Sequence, residues 1–450
     1  MLTRDKIKSV FNVEAPVTDL MNNAIDLWSD IYSNQAPWLS TTVKSLNLGA
    51  AIANEIARIV TIEAKVIIEG SARGEFLNSQ METILDDIRQ QLEHGVALGG
   101  MIFKPYIDET NQIVVDYVQA DSFYPVEFDG NGNLTAVIFQ DKRKLGNYWF
   151  TKYEFHQLKG TTYTVVNKAY KSSDETSLGQ EVPLTVVDEW SLLEPIATLE
   201  NIEKPLFAYF RYPGANIIDR NSPLGVSCYA RAVDLIQQAD EQWSNFLWEF
   251  ESGKRALYVD ILAFGRDSNN DPVLPNQRLY KQIDTGGSED ALFEDWSPTF
   301  RQTDLLMGLD AILRRIEFIV GLSYGTLSNP QSVEKTATEI VTAKQRTYSM
   351  VVDNQKALEN SIRDLVDALD IYVSLYNLAP LGNFDITFNF DDSVIVDKDQ
   401  QFQSDLRLVS AGIMPKYEFR MRNLGEDENV AKEMIANVSV ENPPEPSLFG

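Results

Sequence analysis

Hydrophobic positions in the first hundred residues recur every three or four places. In LNLGAAIANEIARIV, within the stretch from Ser40 to Arg58 and just beyond, Leu46, Leu48, Ile52, Ile56 and Ile59 follow the period of an amphipathic helix, and small residues between them allow close packing. EFLNSQMETILDDIRQQLEHGVALGG puts Phe76, Met81, Ile84, Leu85, Ile88 and Leu92 on one face, and the pair Gly99 and Gly100 stops the run. From Met101 the period falls to two. IVVDYV, LTAVIF, NYWFTKYEFHQL, TTYTVV and LTVVDEW are short, β-branched and aromatic, with turn signals at DGNGN (Asp129 to Asn133) and LKG (Leu158 to Gly160). This texture predicts an antiparallel sheet reaching to about Trp190.

An irregular stretch rich in Pro and aromatics, Leu192 to Arg220, separates the sheet from a second helical region. Ser222 as N-cap and Pro223 at the first helical position predict a helix running to Ser252, stopped by Gly253 and about 45 Å long. Residues 255–301 read as an insertion of two β runs, RALYVDILAFG and QRLYKQI, joined by the polar RDSNNDPVLPN and closed by the acidic loop DTGGSEDALFED. DLLMGLDAILRRIEFIV then runs back as helix, with Leu305, Leu309, Ile312, Leu313, Ile316 and Ile319 in register, so a helical hairpin carries the insertion. A loop of small and polar residues, GLSYGTLSNPQS, leads into a helix predicted from about Val333 to Asn377. A strand, FDITFNF, and two smaller helices end the chain, which contains no internal repeat. The fold class is α+β.

The chemistry is sparse. Against 39 Lys and Arg stand 66 Asp and Glu, a net charge of −27. That sign argues against a free-standing nucleic-acid binder, whose affinity comes from cations neutralising phosphate, and suits a soluble surface that repels DNA. The single Cys228 has no partner for an intramolecular disulfide and reads as a small buried apolar residue in a chain built for a reducing cytoplasm. MLTRDKIKSVFNVEAP lacks the apolar run of a signal peptide, and no stretch of about 18 apolar residues marks a membrane span. The two histidines, His94 near a helix end and His156 in an aromatic strand read as surface, supply neither a triad nor a zinc site. DDSVIVDKD, Asp391 to Asp399, lacks the central glycine and terminal glutamate of a calcium loop and reads as a solvated turn and helix start. No phosphate-binding loop and no dinucleotide fingerprint is present. Carboxylate pairs are too abundant to single out a hydrolase. No catalytic residue, metal site or cofactor is expected.

Five motifs in order do carry information. LEHGVALGGMIFKPYID, VDYVQADSFYPVEFDGNGNLTAVIF, YWFTKYEFHQL, SVEKTATEI and LVSAGIMPKYEFRMRNLGEDENVAKEM resemble the portal proteins of tailed bacteriophages, particularly long-tailed phages of Gram-positive hosts, and the resemblance spans nearly the whole chain. It implies a portal-like protomer: a wing of helices and antiparallel sheet over 1–221, stem helices over 222–254 and 302–321, a small β clip over 255–301, a tunnel loop over 322–332, a long wing helix over 333–383, and a strand and helices forming a reduced crown over 384–450. It further implies a non-enzymatic virion component, assembled in the host cytoplasm, that forms a ring of twelve at one capsid vertex. Double-stranded DNA would pass through that ring without sequence specificity during packaging and ejection. The partners implied are the major capsid protein, the terminase motor and a head–tail connector, with no membrane.

By the same resemblance Ser323, Tyr324, Thr326, Ser328, Asn329 and Gln331 face DNA, where small polar groups offer weak contacts to a sliding backbone. Read by itself, this segment is an ordinary helix start, with Ser332 as N-cap and Gly325 and Pro330 as loop punctuation; the two readings are compatible. Arg266, Asp267, Asn269, Asn270 and Asp271 fall in the clip, which meets motor and connector. Trp243, Phe246, Leu247, Trp248 and Phe250 lie either between subunits or within one protomer. Deletion of Ser323 to Asn329 is expected to spare folding and ring assembly while impairing packaging. The alternatives are another virion protein, such as a scaffold or baseplate component, or a carboxylate-dependent hydrolase. The long helix after a loop favours a portal, because a scaffold is helical almost throughout and a baseplate protein mostly β.

Overall fold

The computed structural model describes residues 4–13, 17–62, 64–108, 110, 112–254, 256–260, 280–283, 293–296, 299–329, 337–390 and 398–441. They fall into two compact units, Met1–Asn389 and Phe390–Gly450.

The first unit opens with helices α1 (Arg4–Phe11), α2 (Asp19–Tyr32) and α3 (Leu48–Thr61), strand β1 (Lys65–Glu69) and helix α4 (Ala72–Leu98). Thr18 caps α2, its hydroxyl accepting the Met21 N–H, and Ser71 caps α4 in the same way through Gly74. The buried face of α4 is Leu77, Met81, Ile84, Ile88 and Leu92. The predicted face therefore holds from Met81 onward, except that Leu85 is half-buried and Leu77 rather than Phe76 opens it. Gly99 ends α4 at φ +90, and a Cβ there would stand 2.8 Å from the Gly225 carbonyl oxygen, so conformation and space both demand glycine.

The strands that follow are β2 (Gly100–Ile107), β3 (Ile113–Gln119), β4 (Phe123–Phe128), β5 (Leu134–Leu145), β6 (Tyr148–Lys159), β7 (Thr162–Ser172), β8 (Gln180–Val182), β9 (Ile196–Glu200) and β10 (Ala208–Arg211). They form two antiparallel sheets where the sequence suggested one: β10-β2-β3, and β4-β5-β6-β7-β8 with β9 also on β7. The split arises because β10, from the stretch expected to be irregular, returns to pair Ala208 with Phe103 and claims the edge of β2.

His156 is not a surface residue. Lys152, Glu154 and His156 alternate along β6, and that face is covered, leaving His156 buried. Glu154 meets the Lys104 and Lys152 ammonium groups at 2.9 and 3.1 Å and His156 Nε2 at 2.6 Å, while His156 Nδ1 lies 2.7 Å from the Tyr163 hydroxyl. Burial opposes the carboxylate charge, but Lys104, His156 and Lys152 more than offset it and hold Glu154 well below its usual range. Burial also holds His156 below its ordinary value, against the pull of Glu154. On acidification the unfolded imidazole takes up a proton near its usual value of about 6.5 while the folded one does not, so stability falls from there downward. The unfolded Glu154 carboxyl adds a second loss below about 4.3, by the same sign. His156→Gln is expected to flatten the first limb, by up to about 1 kcal/mol per pH unit, and to keep the second. Thermal melts between pH 7 and 4 check this; an unchanged slope in the upper window contradicts it.

The helix expected from Ser222 starts later than its sequence signal. Residues 222–229 are not helical, a 3-10 turn spans Ala230–Ala232, and α5 is Val233–Ser252, about 30 Å long at 1.5 Å per residue. The stretch Leu224 to Cys228 is instead laid against the end of α4: Cys228 N–H donates to the Val96 carbonyl, and a Cβ on Gly225 would stand 2.0 Å from the Gly99 oxygen. The Ser222 hydroxyl accepts only the Leu224 N–H, as in a local turn. Cys228 is buried there, and burial pushes its thiol up.

Strands β11 (Ala256–Asp260), β12 (Tyr280–Ile283) and β13 (Phe293–Trp296) form one sheet, with β12 parallel and β13 antiparallel to β11. The third strand lies in and just past the stretch expected to be an acidic loop; its inner Glu and Asp are poor strand formers and hid it. Helices α6 (Gln302–Val320) and α7 (Ala337–Leu375) follow, then β14 (Asp385–Asn389), antiparallel to β1 and so part of the first unit rather than of a crown. Helix α7 buries Val351, Leu358, Ile362, Leu365 and Leu369 along one stripe and packs on α3, β2 and β10. Buried Arg73 on α4 ties down the end of α7 through Asp370, Ser374 and the Ala379 carbonyl.

The second unit holds α8 (Lys398–Ser410), α9 (Lys416–Leu424) and α10 (Glu428–Glu441), three helices where two were expected. Most of the Asp391 to Asp399 cluster lies outside the described residues. Among the described residues no helix is long and apolar enough to cross a membrane, and no cluster of three His, Cys, Asp or Glu side chains suits a metal ion.

Candidate functional site

The α6–α7 loop is built around one acid. Helix α6 buries Leu309, Ile316, Val320 and, fully, Glu317. Gly321 ends the helix at φ +86, and the Leu322 N–H returns to the Glu317 carbonyl. The chain then wraps over the Glu317 carboxylate. Oε1 accepts the N–H groups of Gly325, Leu327 and Ser328 at 3.1, 2.6 and 2.8 Å, and Oε2 accepts the Ser328 hydroxyl at 2.9 Å. A buried carboxylate is tolerable when its lone pairs are filled in this way. Asp310 accepts the Asn329 N–H at 2.8 Å. Ser323 and Thr347 share a hydroxyl contact of 2.8 Å, and Thr347 donates to the Gly321 carbonyl. The Arg346 guanidinium lies 4.3 Å from the centre of the Phe318 ring and 5.9 Å from that of Tyr324.

Five of the six predicted loop residues are therefore brought together, with different exposures. Thr326 and Asn329 are exposed, and Ser323 and Tyr324 are half-buried. Ser328 is a correction: it is buried, its hydroxyl spent on Glu317, and does not present itself to a ligand. Gln331 lies outside the described residues. Residues 321–329 contain no Lys or Arg. Sequence reasoning did not single out Glu317. The available signal was position, since Leu313, Ile316, Glu317 and Val320 occupy one helical stripe.

At the other end of α6 the stem hairpin is closed by a second acid. The Glu249 carboxylate accepts from Arg301 N, Nε and Nη2 at 3.0, 3.2 and 2.8 Å, and these bonds lower its pKa. Gln242 donates to the Leu305 carbonyl between the two helices. Asp240 ties α5 to the segment before α3 by accepting the Trp38 indole N–H and the Leu46 N–H. An aromatic ladder runs along α5, with Trp243 to Phe246 at 5.3 Å, Phe246 to Phe250 at 4.9 Å, and Phe250 to Phe300 at 5.3 Å. Trp243 and Phe246 are half-buried, whereas Leu247, Phe250 and Trp248, the last 63% exposed, face outward from the protomer. Phe250 nevertheless packs on Phe246 and Phe300 of its own protomer, so burial within one protomer leaves Leu247 and Trp248 unaccounted for. Arg266, Asp267, Asn269, Asn270 and Asp271 lie outside the described residues.

No relative matches among curated proteins. Among solved structures, the chain is similar to one from the neck of a native GTA particle computed with C12 symmetry, with a TM-score of 0.44 and 10% identity over 93% of this chain and 98% of that one. Residues 75–437 match the family model described as phage portal protein, SPP1 Gp6-like. That match takes in α4, both wing sheets, the hairpin with its inserted sheet, the clasped loop, the long helix and most of the C-terminal helices; the chain belongs to the SPP1 Gp6-like family of phage portal proteins.

Proposed function

We propose that copies of this chain form a ring of twelve at one capsid vertex of a tailed phage of a Gram-positive host, assembled in the host cytoplasm, and that the loop from Leu322 to Ser332 surrounds double-stranded DNA as it is packaged and ejected. The observation that carries this reading is the Glu317-clasped loop. It is polar and free of cations, and it sits at the opposite end of the stem hairpin from the β11–β13 sheet. A channel lining must touch phosphate without holding it. One cation per subunit would place a ring of them around the backbone, and phosphate contacts by Lys and Arg are what bind DNA tightly. The hydroxyl and amide groups of Ser323, Thr326 and Asn329 give weaker contacts, while the clasp keeps the loop in shape under sliding load. The β11–β13 sheet and residues Arg266 to Asp271 serve as the clip for the terminase motor and the connector, the wing meets the major capsid protein, and the chain catalyses nothing itself.

The test is to load the loop with charge. Thr326→Lys with Asn329→Lys is expected to leave ring assembly unchanged and to reduce DNA packaging several-fold, with partial recovery as salt rises. Packaging at the wild-type rate contradicts the loop assignment.

A further inference from the structure

We infer that the tip of the β5–β6 hairpin in one copy docks end-on into an open acidic groove of the next copy, between the stretch after β9 and the end of α7. Its lysines meet Glu203, Asp364 and Asp367, and its apolar pair meets Ile371 and Leu375. The inference rests on the ring reading above and specifies two wing surfaces that meet.

The two surfaces lie at opposite ends of one sheet. Tyr148 opens β6 beside the tip, and Leu158, near the other end of that strand, packs on the same buried cluster of Tyr163, Ile202 and Leu206 as Ile371 of α7. At about 3.3 Å per residue the strand between Tyr148 and Leu158 spans roughly 33 Å, so a tip does not reach its own groove. A closed ring joins subunits head to tail through two unlike surfaces, and opposite charge at opposite ends of one sheet supplies them.

The tip is cationic around an apolar pair. Lys142, Arg143 and Lys144 are the only run of three consecutive bases in a chain with 66 acids and 39 bases, and Lys171 of β7 stands opposite Phe150. The Lys144 ammonium lies 5.4 Å from the centre of the Trp149 ring, and that of Lys171 lies 3.9 Å from the centre of the Tyr148 ring. Leu145 and Tyr148 pair across the turn and are 48% and 47% exposed. Asp141 and Glu189 hold Arg143, and Asp174 is filled by its own turn. Among the described residues Lys142, Lys144 and Lys171 have no carboxylate partner.

The groove reverses that pattern. It has a volume of about 490 Å³, with Glu203 and Lys204 on one wall and Asp367, Ile371 and Leu375 on the other. Asp364 is exposed and stands three residues before Asp367 on the same side of α7. Lys204 pairs with Asp367 and Arg73 with Asp370, which leaves Glu203 and Asp364 without an ion-pair partner among the described residues. Lys142 and Lys144 project from one face of the hairpin, and Leu145, Tyr148 and Lys171 from the other. An end-on approach between two walls engages both faces at once. Tyr148 is then the aromatic anchor, seated against Ile371 and Leu375 with charge pairs around it.

Sedimentation of the full-length chain across a concentration series tests this. Lys142→Glu with Lys144→Glu, and Glu203→Lys with Asp364→Lys, are each expected to raise the concentration needed for ring formation about tenfold or more. The variant carrying all four changes is expected to restore it towards the wild-type value, a recovery that a fold defect does not produce. Lys144→Cys with Asp364→Cys, treated with a short bis-maleimide, is expected to link copies into a ladder on a denaturing gel, since the native Cys228 is buried. Rings that ignore both charge reversals, a loss on the tip side alone, or rings that form without cross-linking overturn the docking and leave the ring standing. A wild-type chain that stays monomeric at every concentration overturns the ring reading and the docking together.

Discussion

Replacing Glu317 by alanine releases the α6–α7 loop while the rest of the protomer stays folded. Two backbone N–H groups and one hydroxyl lose their acceptor at once, and the Gly325 N–H keeps only the Ser328 hydroxyl oxygen. Each buried donor left unpaired costs about 1–3 kcal/mol, and the loop escapes that cost by opening to water. The expected net loss of local order is about 3 kcal/mol, read as roughly hundredfold faster amide exchange at Gly325, Leu327 and Ser328 with no change along the buried stripe of α6. Glu317→Gln keeps an oxygen for the backbone donors and costs about 1 kcal/mol, the difference between a charged and a neutral acceptor. Rings form in both variants, and packaging fails in the alanine variant. Unchanged exchange at the three amides contradicts the clasp. The clasp also revises the expectation for deletion of Ser323 to Asn329: the deletion removes all four donors and strands a buried carboxylate, so folding is expected to survive only if Glu317→Leu accompanies the deletion.

Arg73→Ala gives the largest loss of global stability. Arg73 is 1% exposed, and its guanidinium donates to the Asp370 carboxylate at 2.6 Å, to the Asp370 and Ala379 carbonyls at 2.8 and 2.9 Å, and to Ser374. It joins the first turn of α4 to the last turns of α7 and the chain beyond, more than 290 residues away in sequence. Truncation removes these bonds and opens a cavity, while the partly exposed Asp370 carboxylate regains water and the Asp370 carbonyl keeps the Ser374 hydroxyl, a loss of about 3 kcal/mol, read as a fall in the denaturant midpoint with early loss of amide protection at the end of α7. Arg73→Lys recovers only part, because one ammonium does not span a side chain, two carbonyls and a hydroxyl in fixed directions. A midpoint in Arg73→Ala within experimental error of wild type contradicts this reading.

Residues whose role is set by their own helix or turn were the legible ones. The α4 stripe and the Gly99 stop, the Asp129 turn and the hairpin around the inserted sheet follow from period, conformation and length. Residues whose role is set by what arrives from elsewhere were not. Ser222 and Pro223 make a sound helix-start signal, but the backbone contact between Gly225 and the end of α4 overrides it. Lys152, Glu154 and His156 alternate as a polar strand face should, and only the fold shows that face covered and its charges paired with Lys104 from another sheet. Glu317 stands in an apolar stripe, and its role is set by the loop that folds back over it. The family was legible because five motifs kept their order along the chain, whereas the inner workings of the loop depend on one side chain that none of those motifs contains.

The central claim is that this chain closes into a ring with an axial channel. Electron microscopy of the purified protein, with native mass spectrometry of the same sample, tests it most directly. Rings of about twelve subunits with an open axis are the expected result; a compact dimer with no axial hole contradicts the account.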